Sequence, residues 1–79
     1  MGRKRKLTKT SMKRRMKLIA EIYYASDKDE EEARALFPNL EVVRLGNFIK
    51  LYAKDKISYK AYKSIEARLS SHFSSYTMF

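Results

Sequence analysis

From Ser11 to Ala25, apolar positions recur at helical spacing. Met12, Met16, Ile19, Ala20 and Tyr23 fall at i, i+4, i+7, i+8 and i+11, which predicts one face of a helix over residues 11–25. Thr10 or Ser11 can cap its start. Leu18 and Ile22 widen the stripe, while Lys13, Arg14, Arg15 and Lys17 fall off it toward solvent. A second, shorter helix is expected over about residues 28–37, with Ala33, Leu36 and Phe37 as its apolar stripe and Pro38 as its stop. Asp27 followed by Glu30 fits a capping box, and Asp29, Glu31 and Glu32 suit the positive end of a helix.

The pattern then changes. Leu40–Leu45 and Phe48–Ala53 are two β-rich runs split by Gly46-Asn47, which is a hairpin signal. Folding about that turn pairs Leu45 with Phe48, Val43 with Lys50 and Glu41 with Tyr52 on one face. The other face pairs Arg44 with Ile49, Val42 with Leu51 and Leu40 with Ala53. The second face is almost wholly apolar, as a core face should be. Helical spacing returns after Ser58, with Tyr62, Ile65, Leu69 and Phe73 as the stripe of a helix over about 58–73. Residues 74–79 read as a frayed tail.

These elements predict a small α+β domain ordered α-α-β-β-α, with a compact unit over 11–73 and a flexible basic arm over 1–10. The rival architecture is all-α. It makes 40–53 one helix containing Gly46 and places a helix-turn-helix in 40–73, with Ser58, Tyr59, Lys60 and Lys63 opening its second helix. The order of ribbon-helix-helix repressors is not met. A strand at Lys6–Thr10 would be nearly all polar, and a further hairpin and helix follow.

Charge changes the picture more than composition does. The first seventeen residues hold Arg3, Lys4, Arg5, Lys6, Lys9, Lys13, Arg14, Arg15 and Lys17 and no acidic residue. The chain carries 18 basic and 9 acidic residues, so 18 − 9 = +9, and all of the excess lies in that segment. Closely spaced cations of this kind release counterions when they neutralise phosphates, without reading sequence. Lys13, Arg14 and Arg15 in the first turn of a helix would oppose its dipole, a conflict that a bound phosphate would relieve.

The rest of the chain is neutral but polarised. Acidic residues gather over 18–43 and basic ones over 44–68, an arrangement in which the two halves attract each other. Lys56, Lys60 and Lys63 form a candidate secondary basic patch. Aromatics interleave with cations in Phe48-Ile-Lys-Leu-Tyr52 and Tyr59-Lys60-Ala-Tyr62-Lys63. Such surfaces can stack unpaired bases, although aromatics at these spacings more commonly fill cores.

Other chemistries find no support. With no cysteine and a single histidine, His72, there is no thiolate chemistry and no zinc spacing. The acidic run Asp27–Glu32 lacks the central glycine of a calcium loop. No phosphate loop or nucleophile–base pair is present. No enzyme, cofactor or metal is therefore expected. No apolar run approaches a membrane span and no secretory signal is readable, so the expected setting is intracellular or intravirion. The abundance of Lys and Glu with no Gln is a bias of hyperthermophile proteins.

The expected function is nucleic-acid binding, with duplex DNA or a packaged genome favoured over RNA. A ribonucleoprotein subunit is the first alternative. A protein–protein adaptor or inhibitor using the 27–32 region or the aromatic hairpin face is the second. A homodimer is an expected assembly, because a small hairpin-and-helix unit leaves apolar faces to cover.

Overall fold

A computed structural model describes residues 16–79. Six elements follow in order: β1 (Lys17–Tyr23), α1 (Asp27–Leu36), β2 (Leu40–Leu45), β3 (Phe48–Ala53), α2 (Tyr59–His72) and β4 (Tyr76–Met78). The four strands form one antiparallel sheet in the order β2-β3-β1-β4. The element order β-α-β-β-α-β is that of the ferredoxin-like, split β-α-β motif. Strand β3 lies between β1 and β2, and β1 lies between β3 and β4.

This corrects the expected α-α-β-β-α order. Residues 17–23 are a strand rather than the body of a first helix, and β1 is one of the two central strands of the sheet. The strand is held by pairing on both edges, with β3 and β4, and its sequence reads as helical because of a register shift between Leu18 and Ala20 where β1 meets β3. A bulge interrupts the two-residue period of a strand. Ile19 and Ala20 are accordingly both buried, as is Ile22. In sequence, that interrupted alternation imitates the 3.6-residue period. The first part of the expected helix, 11–15, and the expected arm, 1–10, lie outside the described residues. The supposed tail, 74–79, contains β4. Its backbone ladder continues on both sides, from Tyr23 N–H to the Ser75 carbonyl at 3.0 Å and from Phe79 N–H to the Ile19 carbonyl at 2.8 Å.

The hairpin forms at Gly46-Asn47, with Leu45 opposite Phe48, Val42 opposite Leu51 and Leu40 opposite Ala53. Gly46 has φ +63° and Asn47 is not among the positive-φ residues. That sign pattern belongs to a type II′ turn, whose first central position favours glycine. The all-α alternative for 40–73 is thereby excluded.

Both helices cover the same side of the sheet. Ala33 and Phe37 from the α1 region, and Ile65, Leu69 and Phe73 from the α2 region, pack with Ala20, Ile22, Val42, Ile49, Leu51 and Ala53 in one core. Ser26 caps α1, and its partner in the capping box is Asp29, one position before the expected Glu30. Ser58 caps α2 by accepting the Ala61 N–H at 3.1 Å. Arg44, on the core-side face of edge strand β2, reaches up to α1 and ion-pairs with Asp27 at 3.0 Å and Glu30 at 3.1 Å.

Candidate nucleic-acid interface

The antiparallel register leaves a second sheet face on which no described element packs. Alternation places Glu41, Val43 and Leu45 of β2 there, with Phe48, Lys50 and Tyr52 of β3 beside them. Strand β1 adds Leu18, Glu21 and Tyr23, and β4 adds Thr77. Three aromatic rings thus stand on one half-exposed surface. Tyr23 and Phe48 face each other across the β1–β3 pair with ring centroids 5.6 Å apart and planes inclined by 16°. The Lys50 ammonium lies 5.6 Å from the Phe48 centroid. A polar network fixes the Tyr23 ring. Its hydroxyl is 3.0 Å from Glu21 Oε1 and 2.9 Å from Thr77 Oγ1. A phenol has one proton, so it donates to the carboxylate and accepts from the threonine.

The face has two different ends. At one end β1 begins, β3 finishes at Ala53 and the chain enters α2. Lys17, Lys54, Lys56 and Lys60 are all exposed in this region. A groove of about 690 Å³ opens on the helix side there, with Lys17, Lys56, Tyr59, Tyr62 and Phe79 among its walls. The acid-free segment joins the domain at this end, through Lys17.

At the other end the sheet finishes in Tyr23-Tyr24 and the hairpin turn. Tyr24 has φ +57° and the residue is 81% exposed. A non-glycine residue in the left-handed region costs about 1–2 kcal/mol, and this ring gains little burial to offset it. Tyr24 adjoins a groove of about 300 Å³ walled by Tyr23, Phe48, Asn47 and Ser75.

The expected site residues therefore separate into three groups. Arg3, Lys4, Arg5, Lys6, Lys9, Lys13, Arg14 and Arg15 lie outside the described residues. Lys17, Lys56 and Lys60 are exposed around the end where β1 begins. Lys63 is exposed on α2 and partly neutralised, since its ammonium is 2.9 Å from Glu66 and 5.9 Å from the Tyr59 centroid. The hydrogen bond and charge of Glu66 hold the Lys63 ammonium above its usual pKa, so it stays protonated.

Much of the remaining charge serves the fold. Arg34, by hydrogen bond and charge, and then Arg44 hold the Glu30 carboxyl below its usual range. His72 Nδ1 is 2.6 Å from Glu32 Oε2, tying the end of α2 to α1. Arg68 donates to the Leu36 carbonyl at 3.0 Å. Asp27, Asp29, Glu30 and Glu32 thus each have a hydrogen-bond or ion-pair partner within the domain, while Asp27 and Glu32 remain substantially exposed. Among the described residues, no group of three or more His, Asp or Glu is placed to hold a metal ion. No described helix is long and apolar enough to cross a membrane.

Phe48 and Tyr52 were visible in sequence as a paired hairpin face. Tyr23 was assigned to a buried helical stripe instead, and the left-handed Tyr24 carries no sequence signal. No protein-family model matches the chain, and comparisons with curated proteins and with solved structures also found no match.

Proposed function

We propose that this protein binds nucleic acid, with the basic N-terminal segment supplying phosphate contacts. The observation that carries this reading is the acid-free run of nine cations in the first seventeen residues. That run continues directly into a central strand of the sheet. Lys17, Lys54, Lys56 and Lys60 extend the positive surface onto the folded domain. Phosphate contacts of this kind hold and orient a strand without reading its sequence.

Charge alone favours duplex DNA or a packaged genome as readily as RNA. A specific feature favours unpaired bases: the half-exposed rings of Tyr23, Phe48 and Tyr52 on one sheet face. Aromatics on an open four-stranded sheet offer stacking surfaces that a duplex cannot use. The sheet face itself carries Glu21, Glu41 and Lys50, so it would contribute stacking, while the basic segment contributes charge.

A salt series tests the reading. Binding should weaken steeply with salt. Engagement of six phosphates gives a log–log slope of about −5 on duplex DNA and about −4 on a single strand. A slope near zero on every nucleic acid would remove the proposal. Deleting residues 1–9 takes away Arg3, Lys4, Arg5, Lys6 and Lys9, leaving 9 − 5 = +4. No described core residue is lost, so the melting temperature should hold within a few degrees while affinity falls at least about tenfold. Unchanged affinity would shift the site to the Lys54–Lys63 region.

A further inference from the structure

We infer that the groove beside Tyr24, between Tyr23, Phe48 and Asn47, is a binding site for one unpaired nucleobase of a single-stranded nucleic acid. The inference rests on the nucleic-acid reading above and deepens it, because it assigns a base site at the end of the sheet opposite Lys17.

Tyr24 combines two properties that stability does not call for. Its backbone is left-handed at φ +57°, a conformation unfavourable for a large side chain, and the residue is 81% exposed. Such outliers gather where a ligand uses them. The ring adjoins a groove of about 300 Å³, whose floor includes the near-parallel Tyr23 and Phe48 rings. The hydrogen bonds of the Tyr23 hydroxyl to Glu21 and Thr77 hold that floor in place.

The polar rim suits a base edge. The Asn47 backbone carbonyl is already occupied by the Ala25 N–H at 2.7 Å, and the Ser75 carbonyl by the Tyr23 N–H at 3.0 Å. The turn is thereby fixed, and both Asn47 and Ser75 line the groove, where an amide and a hydroxyl can each donate and accept. Ring stacking, not charge, selects the occupant here, because Lys50 beside Phe48 is 4.0 Å from the Glu21 carboxylate on the same face. The backbone of a single strand whose base sits in the groove can run along the sheet toward Lys17, where the exposed cations lie. Lys17 to Tyr23 spans about 20 Å at ~3.3 Å per residue. That length accommodates about six stacked nucleotides at ~3.4 Å each.

The test titrates the full chain and its Tyr24→Ala, Tyr24→Gly and Tyr24→Phe variants with three probes: a twelve-nucleotide oligo-U RNA, the corresponding oligo-dT DNA and a twelve-base-pair duplex. Tyr24→Ala should weaken binding to both single strands by about five- to 150-fold, the range for removing a base-stacking ring, and leave duplex affinity unchanged. Tyr24→Phe should bind like the parent. Different affinities of the parent for the RNA and DNA strands would report contact with the 2′-hydroxyl. Tyr24→Gly separates ligand binding from a structural role. It should lose the same affinity while its melting temperature stays level or rises, because glycine adopts the left-handed conformation freely. Addition of oligo-U to the parent should shift the Tyr23 and Phe48 ring proton signals upfield. Unchanged single-strand affinity in Tyr24→Ala, equal loss on the duplex, or a lower melting temperature in Tyr24→Gly would overturn the base site. Salt-dependent binding that persists in those cases would leave the phosphate reading standing, whereas a parent that binds none of the three probes would overturn both.

Discussion

Strand β3 belongs to two surfaces at once. Ile49, Leu51 and Ala53 point into the helix-covered core, where Ile49 and Leu51 are 0% exposed. Phe48, Lys50 and Tyr52 alternate with them on the uncovered face and are each only half-buried. Both sets are rich in large side chains, yet only one is enclosed. A domain that needed stability alone could carry threonines or lysines on the open face. The aromatics there gain part of their burial from one another, across strands, as Tyr23 and Phe48 do. The two faces therefore divide the work: one specifies the fold, and the other presents rings to the surroundings.

The sharpest way to break that contrast is to truncate neighbours on the same strand. Leu51→Ala should lower unfolding free energy by about 2–5 kcal/mol in urea denaturation. Tyr52→Ala should cost about 1 kcal/mol or less, the scale of cross-strand pairs on an exposed face. Equal losses at the two positions would mean that something covers the open face in solution.

The turn joining β2 to β3 comes next. A Cβ at Gly46 would meet no atom beyond its chain neighbours within 4 Å, so the first cost of a side chain there is conformational. With φ at +63°, Gly46→Val should destabilise by more than about 1 kcal/mol, and Gly46→Ala by about 1 kcal/mol. A more stable Gly46→Ala would contradict the turn geometry.

The smallest expected effect is electrostatic and belongs to the helix-covered side. The Glu30 carboxyl is held below its usual value first by Arg34 and then by Arg44. A lowered carboxylate pKa stabilises the fold above the unfolded-state value of about 4.3. That contribution fades as pH falls through the lower folded-state value. Thermal melts between pH 6 and 3 should therefore show a shallower acid-side decline in Arg34→Ala, and a smaller flattening in Arg44→Ala. The open face should not respond to either change. A parallel loss of nucleic-acid affinity at neutral pH would show that the two sides are coupled.

The hairpin and both described helices were legible in the sequence because each has local punctuation. Gly46-Asn47 fixes a turn between two alternating runs, Ser26 and Ser58 cap helices, and Pro38 follows one. The two outer elements lacked such signals. Strand β1 hides its alternation behind a bulge that turns Ile19 and Ala20 inward together, and its strand state depends on partners at 48–53 and 76–78. Strand β4 has only three residues, too few to show a period. The candidate interface was legible in the same uneven way. A run of nine cations is a count, and counting needs no structure. The meeting of Tyr23 with Phe48 depends on β1 being a strand, and the backbone of Tyr24 depends on how β1 leaves the sheet.

The position of β1 has a consequence for the order of assembly. It precedes every other described element in the chain, yet both of its edges are closed by strands made later, and its Tyr23 hydroxyl meets Thr77 across 54 residues. Until its partners are made, β1 is a mostly apolar ribbon, with one hydrogen-bonding edge open until residues 76–78 arrive. Pairings so distant form slowly, and an open edge invites another chain. The acid-free run of nine cations that precedes β1 disfavours such pairing between two copies, because like charges repel.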